Sequence, residues 1–170
     1  LPEVTVVDLR EELKNGNRSI LSRSLKTAVE RRLERGEQSV LFLNRRGYAG
    51  FVSCRSCGEA LKCPHCDVAL TEHNNGKLVC HYCGYEQPRV EKCPRCGSPY
   101  IGGFRAGTQQ IEQNVKKLFP KARVLRMDYD TTRTKGSYEK ILSSFAEHKA
   151  DILVGTQMIV KGHDFPDVTL

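Results

Sequence analysis

The sequence contains eight cysteines, and all of them fall into four C-x-x-C pairs within one short segment. Two residues between thiols allow both sulfurs of a pair to reach one tetrahedral ion at ~2.3 Å. A glycine or an aspartate follows every pair and suits a tight turn with positive φ. We therefore predict two structural zinc ions. Disulfide pairing and a redox C-x-x-C remain the alternatives to a metal.

The run DVALTEHNNGKLV, between the second and third pairs, indicates which pairs share an ion. Its apolar residues alternate with polar ones, and Asn74-Asn75-Gly76 is typical of a hairpin turn. A hairpin would bring these two pairs together as a zinc ribbon and leave the outer pairs for the other ion. The predicted ligand sets are Cys54, Cys57, Cys93 and Cys96 for one zinc, and Cys63, Cys66, Cys80 and Cys83 for the other. His65 and His81 lie inside knuckles and remain alternative ligands.

Composition narrows the classes of protein that the sequence can encode. Its 170 residues carry a formal charge of +7, which favours a nucleic-acid partner without establishing one. Eight thiolates on two Zn²⁺ ions would reduce this charge to about +3. No apolar run approaches the ~18 residues of a membrane span, and apolar segments recur regularly, so a membrane protein and wholesale disorder are excluded. The sequence starts at Leu1 with no signal-peptide pattern, and we expect it to be part of a longer protein.

Helical and strand-like segments alternate on both sides of the cysteines. Three segments have helical spacing: residues 20–36, residues 107–120 and the segment that begins at Ser137. Thr108 is the expected N-cap of the second of these helices. Four runs are typical of buried strands, namely Ser39–Leu43, residues 122–128, Asp151–Gly155 and Val168–Leu170. This alternation predicts an α/β fold with a parallel sheet and flanking helices, into which a small zinc-ribbon module is inserted.

The expected domain boundaries follow from that insertion. Residues 1–53 would form the first part of the α/β lobe, residues 54–96 the inserted double zinc-binding module, and residues 97–170 the remainder of the lobe. Function in parallel sheets gathers at loops that leave the carboxyl ends of the strands. Those loops carry a basic cluster: Arg45, Arg46, Arg133, Lys135 and Lys161. The sequence has no G-x-x-x-x-G-K-[ST] phosphate loop, so it lacks the residues that hold an ATP triphosphate.

Several of these motifs carry a resemblance to a known family. The segment from MDYDTT to PDVTL resembles the second RecA-like lobe of superfamily 2 helicases. The run LFLNRRGY directly before the cysteines, together with DYDTT and GTQMIVKGHDFPDVTL after them, is similar to the PriA family of bacterial replication-restart helicases, the primosomal N′ proteins. This resemblance extends over nearly the whole sequence.

The resemblance implies a 3′-to-5′ ATP-dependent DNA helicase that recognises stalled forks and D-loops and restarts replication by primosome assembly. Its implied cofactors are ATP and Mg²⁺ in the full-length parent, besides two Zn²⁺. Its implied partners are forked, D-loop and single-stranded DNA, primosome proteins and single-stranded DNA-binding protein, with no membrane. The implied location is cytoplasmic and associated with the bacterial nucleoid.

Family motifs also imply roles for individual residues. Motif IV falls on Asn44–Tyr48, and Arg45, Arg46 and Thr156 are the implied DNA contacts. Motif V falls on Gly155–Pro166, and its implied coupling residues between DNA and nucleotide are Thr156, Lys161, Gly162 and Asp164. The sequence contains neither the first helicase lobe nor the arginine-rich motif VI. No complete catalytic site is therefore expected, and this part alone should be inactive.

A second class of function remains open at this point. A non-enzymatic zinc-ribbon adaptor that binds protein partners or single-stranded DNA would need the same cysteines. An unrelated zinc enzyme is the weaker third choice, because catalytic zinc keeps an open coordination position whereas Cys₄ sites are closed.

Overall fold

The computed structural model describes residues 3–43, 50–73, 75–103, 107–160 and 164–170. The chain divides into two compact units. Leu1–Ser22 and Arg46–Arg105 form one, here called the cysteine unit, and Arg23–Arg45 and Ala106–Leu170 form the other, the sheet unit. The helices and strands, in chain order, are α1 Leu9–Lys14, α2 Arg23–Glu34, β1 Ser39–Phe42, β2 Val52–Cys54, β3 Thr71–Glu72, β4 Lys77–Val79, β5 Glu86–Pro88, β6 Ile101–Gly103, α3 Thr108–Leu118, β7 Val124–Met127, α4 Ser137–Ala146 and β8 Ile152–Gly155.

The sheet unit contains a parallel sheet in the order β1-β8-β7. Ile152 at the start of β8 lies opposite Ser39 of β1 and Val124 of β7, so all three strands begin at one edge and end at the other. Every residue of the central strand β8 is buried, as its unbroken apolar run predicts. The predicted α/β fold with a parallel sheet is thus confirmed.

Helical stripes cover this sheet. Ile111 and Val115 of α3 are buried, and so are Leu142 and Phe145 of α4, at the spacing that keeps them on one helix face. Val29 is the buried residue of α2. A 3₁₀ turn, Gln157–Val160, follows β8. Among the described residues, no helix has the length and apolar character that a bilayer crossing requires.

Two predicted features can be compared with the structure, the N-cap of α3 and the strand at Val168–Leu170. Thr108 was predicted as the N-cap of α3, and this is wrong, because the helix starts at Thr108 and Gly107 occupies the cap position. The Thr108 hydroxyl instead donates to the carboxylate of Asp128. The predicted strand at Val168–Leu170 runs parallel beside β1, with a bridge to Gln38 and a hydrogen bond of 2.7 Å from the Val40 amide to the Leu170 carbonyl.

The cysteine unit is built from short antiparallel strands. β3 and β4 form the predicted hairpin across the turn that ends in Gly76, and β5 pairs with the other side of β4. β2 pairs with β6. Four apolar side chains and four cysteines make up its core: Val52, Leu70, Leu78, Ile101, Cys54, Cys63, Cys80 and Cys93.

The cysteine unit extends beyond the expected segment of residues 54–96. The strands β2 and β6 pair residues from before and after that segment, with Val52 opposite Gly103. In addition, the Arg55 guanidinium donates to backbone carbonyls near the start of the chain, those of Arg18 at 2.9 Å and Ser19 at 2.5 Å. These contacts explain why the first residues of the chain group with the cysteines rather than with the sheet.

Candidate metal centre

Each C-x-x-C pair is held in the same backbone knuckle. The amide of the first cysteine donates to the carbonyl five residues later, and the amide four residues later donates back to the carbonyl of that cysteine. Both bonds measure between 2.7 and 3.0 Å (N···O) in all four knuckles. The turn is possible because the residue after each pair adopts positive φ: +80° at Gly58, +57° at Asp67, +76° at Gly84 and +70° at Gly97. The sequence prediction of these turns is confirmed.

The eight sulfurs gather into two sets of four. We call Cys54, Cys57, Cys93 and Cys96 the outer site, and Cys63, Cys66, Cys80 and Cys83 the inner site; within each set all sulfurs lie within 4.8 Å of one another. The Cys54 and Cys96 sulfurs are 3.6 Å apart, as are those of Cys63 and Cys83. Four sulfurs at ~2.3 Å from one ion define a tetrahedron with edges of about 3.8 Å. A disulfide needs about 2.05 Å, and all eight cysteines are free thiols, which argues against the disulfide alternative.

The electrostatics of both sites call for a cation. The backbone N–H of Cys83, which points at the sulfur, lowers the pKa of Cys80 to about 7 against the effect of burial. Burial acts to raise the pKa of Cys54, but the N–H groups of Cys57 and its neighbour outweigh it and lower the value to about 7. A hydrogen bond with the Cys83 sulfur, together with burial, raises the pKa of Cys66 to about 12. Four thiolates are therefore stable in one cluster only when an ion neutralises them.

Zinc fits both sites by donor type, spacing and number. The first cysteine of every pair is buried, and four sulfurs leave no open coordination position. Such closed Cys₄ sites stabilise structure and do not carry out catalysis. The grouping of the cysteines is the nested one predicted from the hairpin.

The two histidines inside the knuckles have other neighbours. The His65 ring lies edge-on to Tyr85, with ring centroids 5.2 Å apart. His81 places its Nε2 atom 3.2 Å from that of His73. Neither joins a metal-ligand cluster among the described residues.

Elemental analysis of protein purified without chelator is expected to find two zinc ions per chain. Because each site is complete without the other, Cys63→Ser should reduce the content to one ion. His65→Ala, in the same knuckle but outside the ligand set, should leave it at two. One zinc or none in the unmodified chain would contradict the assignment of both sites.

The structure describes two of the predicted DNA-contact and coupling residues, Thr156 and Asp164. Thr156 directly follows β8 and is buried, and its amide donates to the Met127 carbonyl at the end of β7, at 3.3 Å. Asp164 is exposed. Four other predicted residues lie outside those that the structure describes: Arg45, Arg46, Lys161 and Gly162.

A buried carboxylate that no sequence motif had singled out, Asp128, lies at the carboxyl edge of the parallel sheet. Asp128 follows β7, and its carboxylate accepts from the Thr108 hydroxyl and from the Thr131 amide at 3.0 Å. It also lies 3.2 Å from the Arg126 guanidinium. Burial acts to raise the pKa of Asp128, but the hydrogen bonds and the Arg126 charge lower it overall. The available signal was the three-residue spacing from Asp128 to Thr131, at which each side chain can accept from the other residue's backbone amide, as in a capping box.

Fold and sites together define a class of protein, an α/β lobe with a parallel sheet that carries a double Cys₄ zinc-ribbon module. The family described as PriA DNA helicase Cys-rich region (CRR) domain matches residues 63–88, which contain all four cysteines of the inner site. Three similar proteins, each named replication restart protein PriA, extend this match along the chain. They come from Bacillus subtilis (strain 168), 57% identical over 171 residues; Synechocystis sp., 49% over 175 residues; and Thermotoga maritima, 37% over 168 residues.

These alignments cover 100%, 100% and 98% of this chain, and 21%, 21% and 22% of the respective relatives. The chain belongs to the PriA family and spans about a fifth of the length of the curated relatives that it matches.

Proposed function

We propose that the chain is part of a 3′-to-5′ ATP-dependent DNA helicase that recognises stalled forks and D-loops and restarts replication by primosome assembly. The observation that carries this proposal is the match of the whole chain, at 57% identity, to a protein named for replication restart. The parallel sheet and the two Cys₄ sites agree with it. In this proposal the sheet unit is one motor lobe. ATP and Mg²⁺ would bind in the full-length parent, with the help of another motor lobe that is not part of this chain.

The carboxyl edge of the sheet is the proposed link between DNA and nucleotide. Thr156 leaves the buried strand β8, and Asp164 follows after a short segment, so one loop can reach both ligands. A threonine hydroxyl donates to phosphate oxygens, and a carboxylate accepts from nucleotide hydroxyls. We assign Thr156 to the DNA backbone and Asp164 to the nucleotide side. Lys161 and Gly162 would connect them, and Arg45 and Arg46 would add phosphate contacts.

The cysteine unit is proposed as the module that contacts forked or single-stranded DNA and partner proteins, among them primosome proteins and single-stranded DNA-binding protein. It has its own core, built around the metal ligands, and presents several large apolar side chains to solvent, among them Tyr82 and Val68. These features also support a second candidate function, a non-enzymatic adaptor. The ATPase activity of the parent distinguishes the two, because an adaptor would have none.

In the full-length parent, Asp164→Ala is expected to lower DNA-stimulated ATP hydrolysis about tenfold to a hundredfold. One lost charged hydrogen bond costs roughly 1.5–3 kcal/mol, and here it would act in the transition state. DNA affinity should fall much less, because phosphate contacts are spread over many basic groups. Steady-state ATPase assays and DNA-binding titrations of the same preparation measure both effects.

Asp167→Ala serves as the matched control. Asp167 is an exposed carboxylate three residues away that pairs with His148 at 2.7 Å, and its loss should leave the ATPase unchanged. The present chain alone, without the first helicase lobe, should not hydrolyse ATP. Unchanged ATPase in the Asp164→Ala parent would contradict the assigned role, and a parent without DNA-stimulated ATPase would contradict the helicase.

A further inference from the structure

A tyrosine projects into solvent from the loop that leaves β7. Tyr129 is 74% exposed, although its ring is large and apolar. The guanidinium of Arg133 lies over this ring, with its carbon 6.0 Å from the centroid. An exposed aromatic ring beside an arginine is the arrangement that proteins use to stack unpaired nucleobases.

Hydrogen bonds brace the backbone on both sides of Tyr129. The Asp128 amide donates to the Thr131 hydroxyl at 2.9 Å, and the Thr131 amide donates to the Asp128 carboxylate. The Thr132 hydroxyl donates to the Asp128 carbonyl at 2.7 Å. Thr108 of α3 anchors the same carboxylate. The exposed ring therefore stands on an ordered loop, so little conformational entropy is lost when a ligand binds.

This loop shares an edge of the sheet with the proposed DNA contact. Met127, two residues before Tyr129, pairs with Gly155 and accepts from the Thr156 amide. The Thr132 hydroxyl also lies 3.6 Å from the Met158 sulfur in the turn that follows Thr156. The braced loop and the segment that begins motif V are thus in direct contact.

The exposed charges near the ring favour an anionic ligand only slightly. Arg133 and Lys135 are exposed cations, and Asp130 is an exposed carboxylate. Stacking of a base on the Tyr129 ring would therefore contribute most of the binding free energy, and attraction between the nearby cations and a phosphate would contribute less. Every base has a π-face, so this kind of contact tolerates any sequence.

We propose that Tyr129 and Arg133 form a stacking platform for an unpaired base of single-stranded DNA, beside the strand end that carries Thr156. This proposal rests on the proposed function and adds a specific contact to it. The ring stacks on the base, and the Arg133 guanidinium contacts the ring or the neighbouring phosphate.

The absence of tryptophan from the sequence permits a direct test. In the zinc-loaded chain, the Tyr129→Trp variant has a single tryptophan, at the proposed platform, and the control variant Ala146→Trp places one at the exposed last residue of α4 in the same unit. Titration with an oligo-dT strand at low salt should quench the first variant saturably and the second only weakly. Labelled-DNA anisotropy follows binding independently of the fluorophore position.

Substitutions at the two positions should have different signatures in the same anisotropy assay. Tyr129→Ala should weaken binding of oligo-dT about tenfold, whereas Tyr129→Phe, which keeps the ring, should bind normally. Arg133→Ala should reduce the slope of log affinity against log salt by about one. Circular dichroism of each variant confirms that the fold is retained.

Two results would overturn the platform. One is the absence of saturable quenching in Tyr129→Trp, or equal quenching in both tryptophan variants. The other is wild-type affinity of Tyr129→Ala, which would point to a protein partner for the exposed ring. DNA-stimulated ATPase of the parent is scored separately, so failure of the platform with intact ATPase leaves the helicase proposal standing.

Discussion

Removal of zinc is expected to unfold the cysteine unit and leave the sheet unit folded. Among the described residues, the hydrophobic cluster of the cysteine unit holds four buried cysteines and four other buried side chains, and the strands of the unit are two or three residues long. So small an apolar core does not hold a domain together without further cross-links. Structural zinc sites contribute about 10–16 kcal/mol to the folding of such modules.

Hydrogen exchange with mass spectrometry measures this effect along the chain. After treatment with chelator, amides of residues 50–73 and 75–103 should exchange at the rates of an unfolded chain. Amides of α3, β7 and β8 should keep their protection, because the hydrophobic core around Met127 and Phe145 contains no cysteine. Protection that survives chelation in the cysteine unit would contradict a structural role for the metal.

The role of the inner zinc site can also be tested by substitution in the full-length parent. Cys63→Ser should open the inner site and retain much of the DNA-stimulated ATPase, because the sheet unit has its own core. DNA unwinding or partner loading should fail. His65→Ala is the matched control. A Cys63→Ser parent that unwinds DNA and loads partners normally would exclude the cysteine unit from both tasks.

Gly155→Ala is expected to destabilise the sheet unit by about 3 kcal/mol, which lowers its Tm by roughly 10–20 °C. Gly155 ends the central strand β8, opposite Phe42 on one side and Met127 on the other. A Cβ atom there would overlap the Met127 carbonyl oxygen and lie 2.5 Å from Cδ1 of Ile159. Because the added Cβ atom would meet the backbone of Met127 on one side and the buried Ile159 side chain on the other, the strand cannot shift away from one contact without worsening the other.

Thermal unfolding of the zinc-loaded chain, followed by circular dichroism, checks this prediction. Gly107→Ala is the matched control in the same unit, because a Cβ atom added there would meet no atom within 4 Å and the φ of Gly107 is −69°. That variant should lose less than about 1 kcal/mol, the scale of a changed N-cap. Equal Tm values for the two variants would show that the strand end can move aside.

The cysteine sites were largely predictable because their determinants are local. The spacing within each pair and the positive φ required at Gly58, Asp67, Gly84 and Gly97 can be recognised without tertiary information. The hairpin signal at Asn74-Asn75-Gly76 then decided which pairs come together. The alternation of helical and strand-like runs likewise predicted the parallel sheet, because hydrophobic periodicity reports which face of each segment is buried.

Features that depend on contacts between distant segments could not be predicted in this way. Sequence spacing suggested Thr108 as a cap, but its hydroxyl is used by Asp128, which lies 20 residues further along the chain. Leu1–Ser22 was expected to belong with the sheet, yet the carbonyls of Arg18 and Ser19 accept from Arg55 in the cysteine unit. The exposure of Tyr129 was equally hidden, since an aromatic residue after a strand is compatible with core and surface alike. Local pattern determines the type and pairing of elements, whereas only packing between elements decides which polar group finds which partner and which ring stays in solvent.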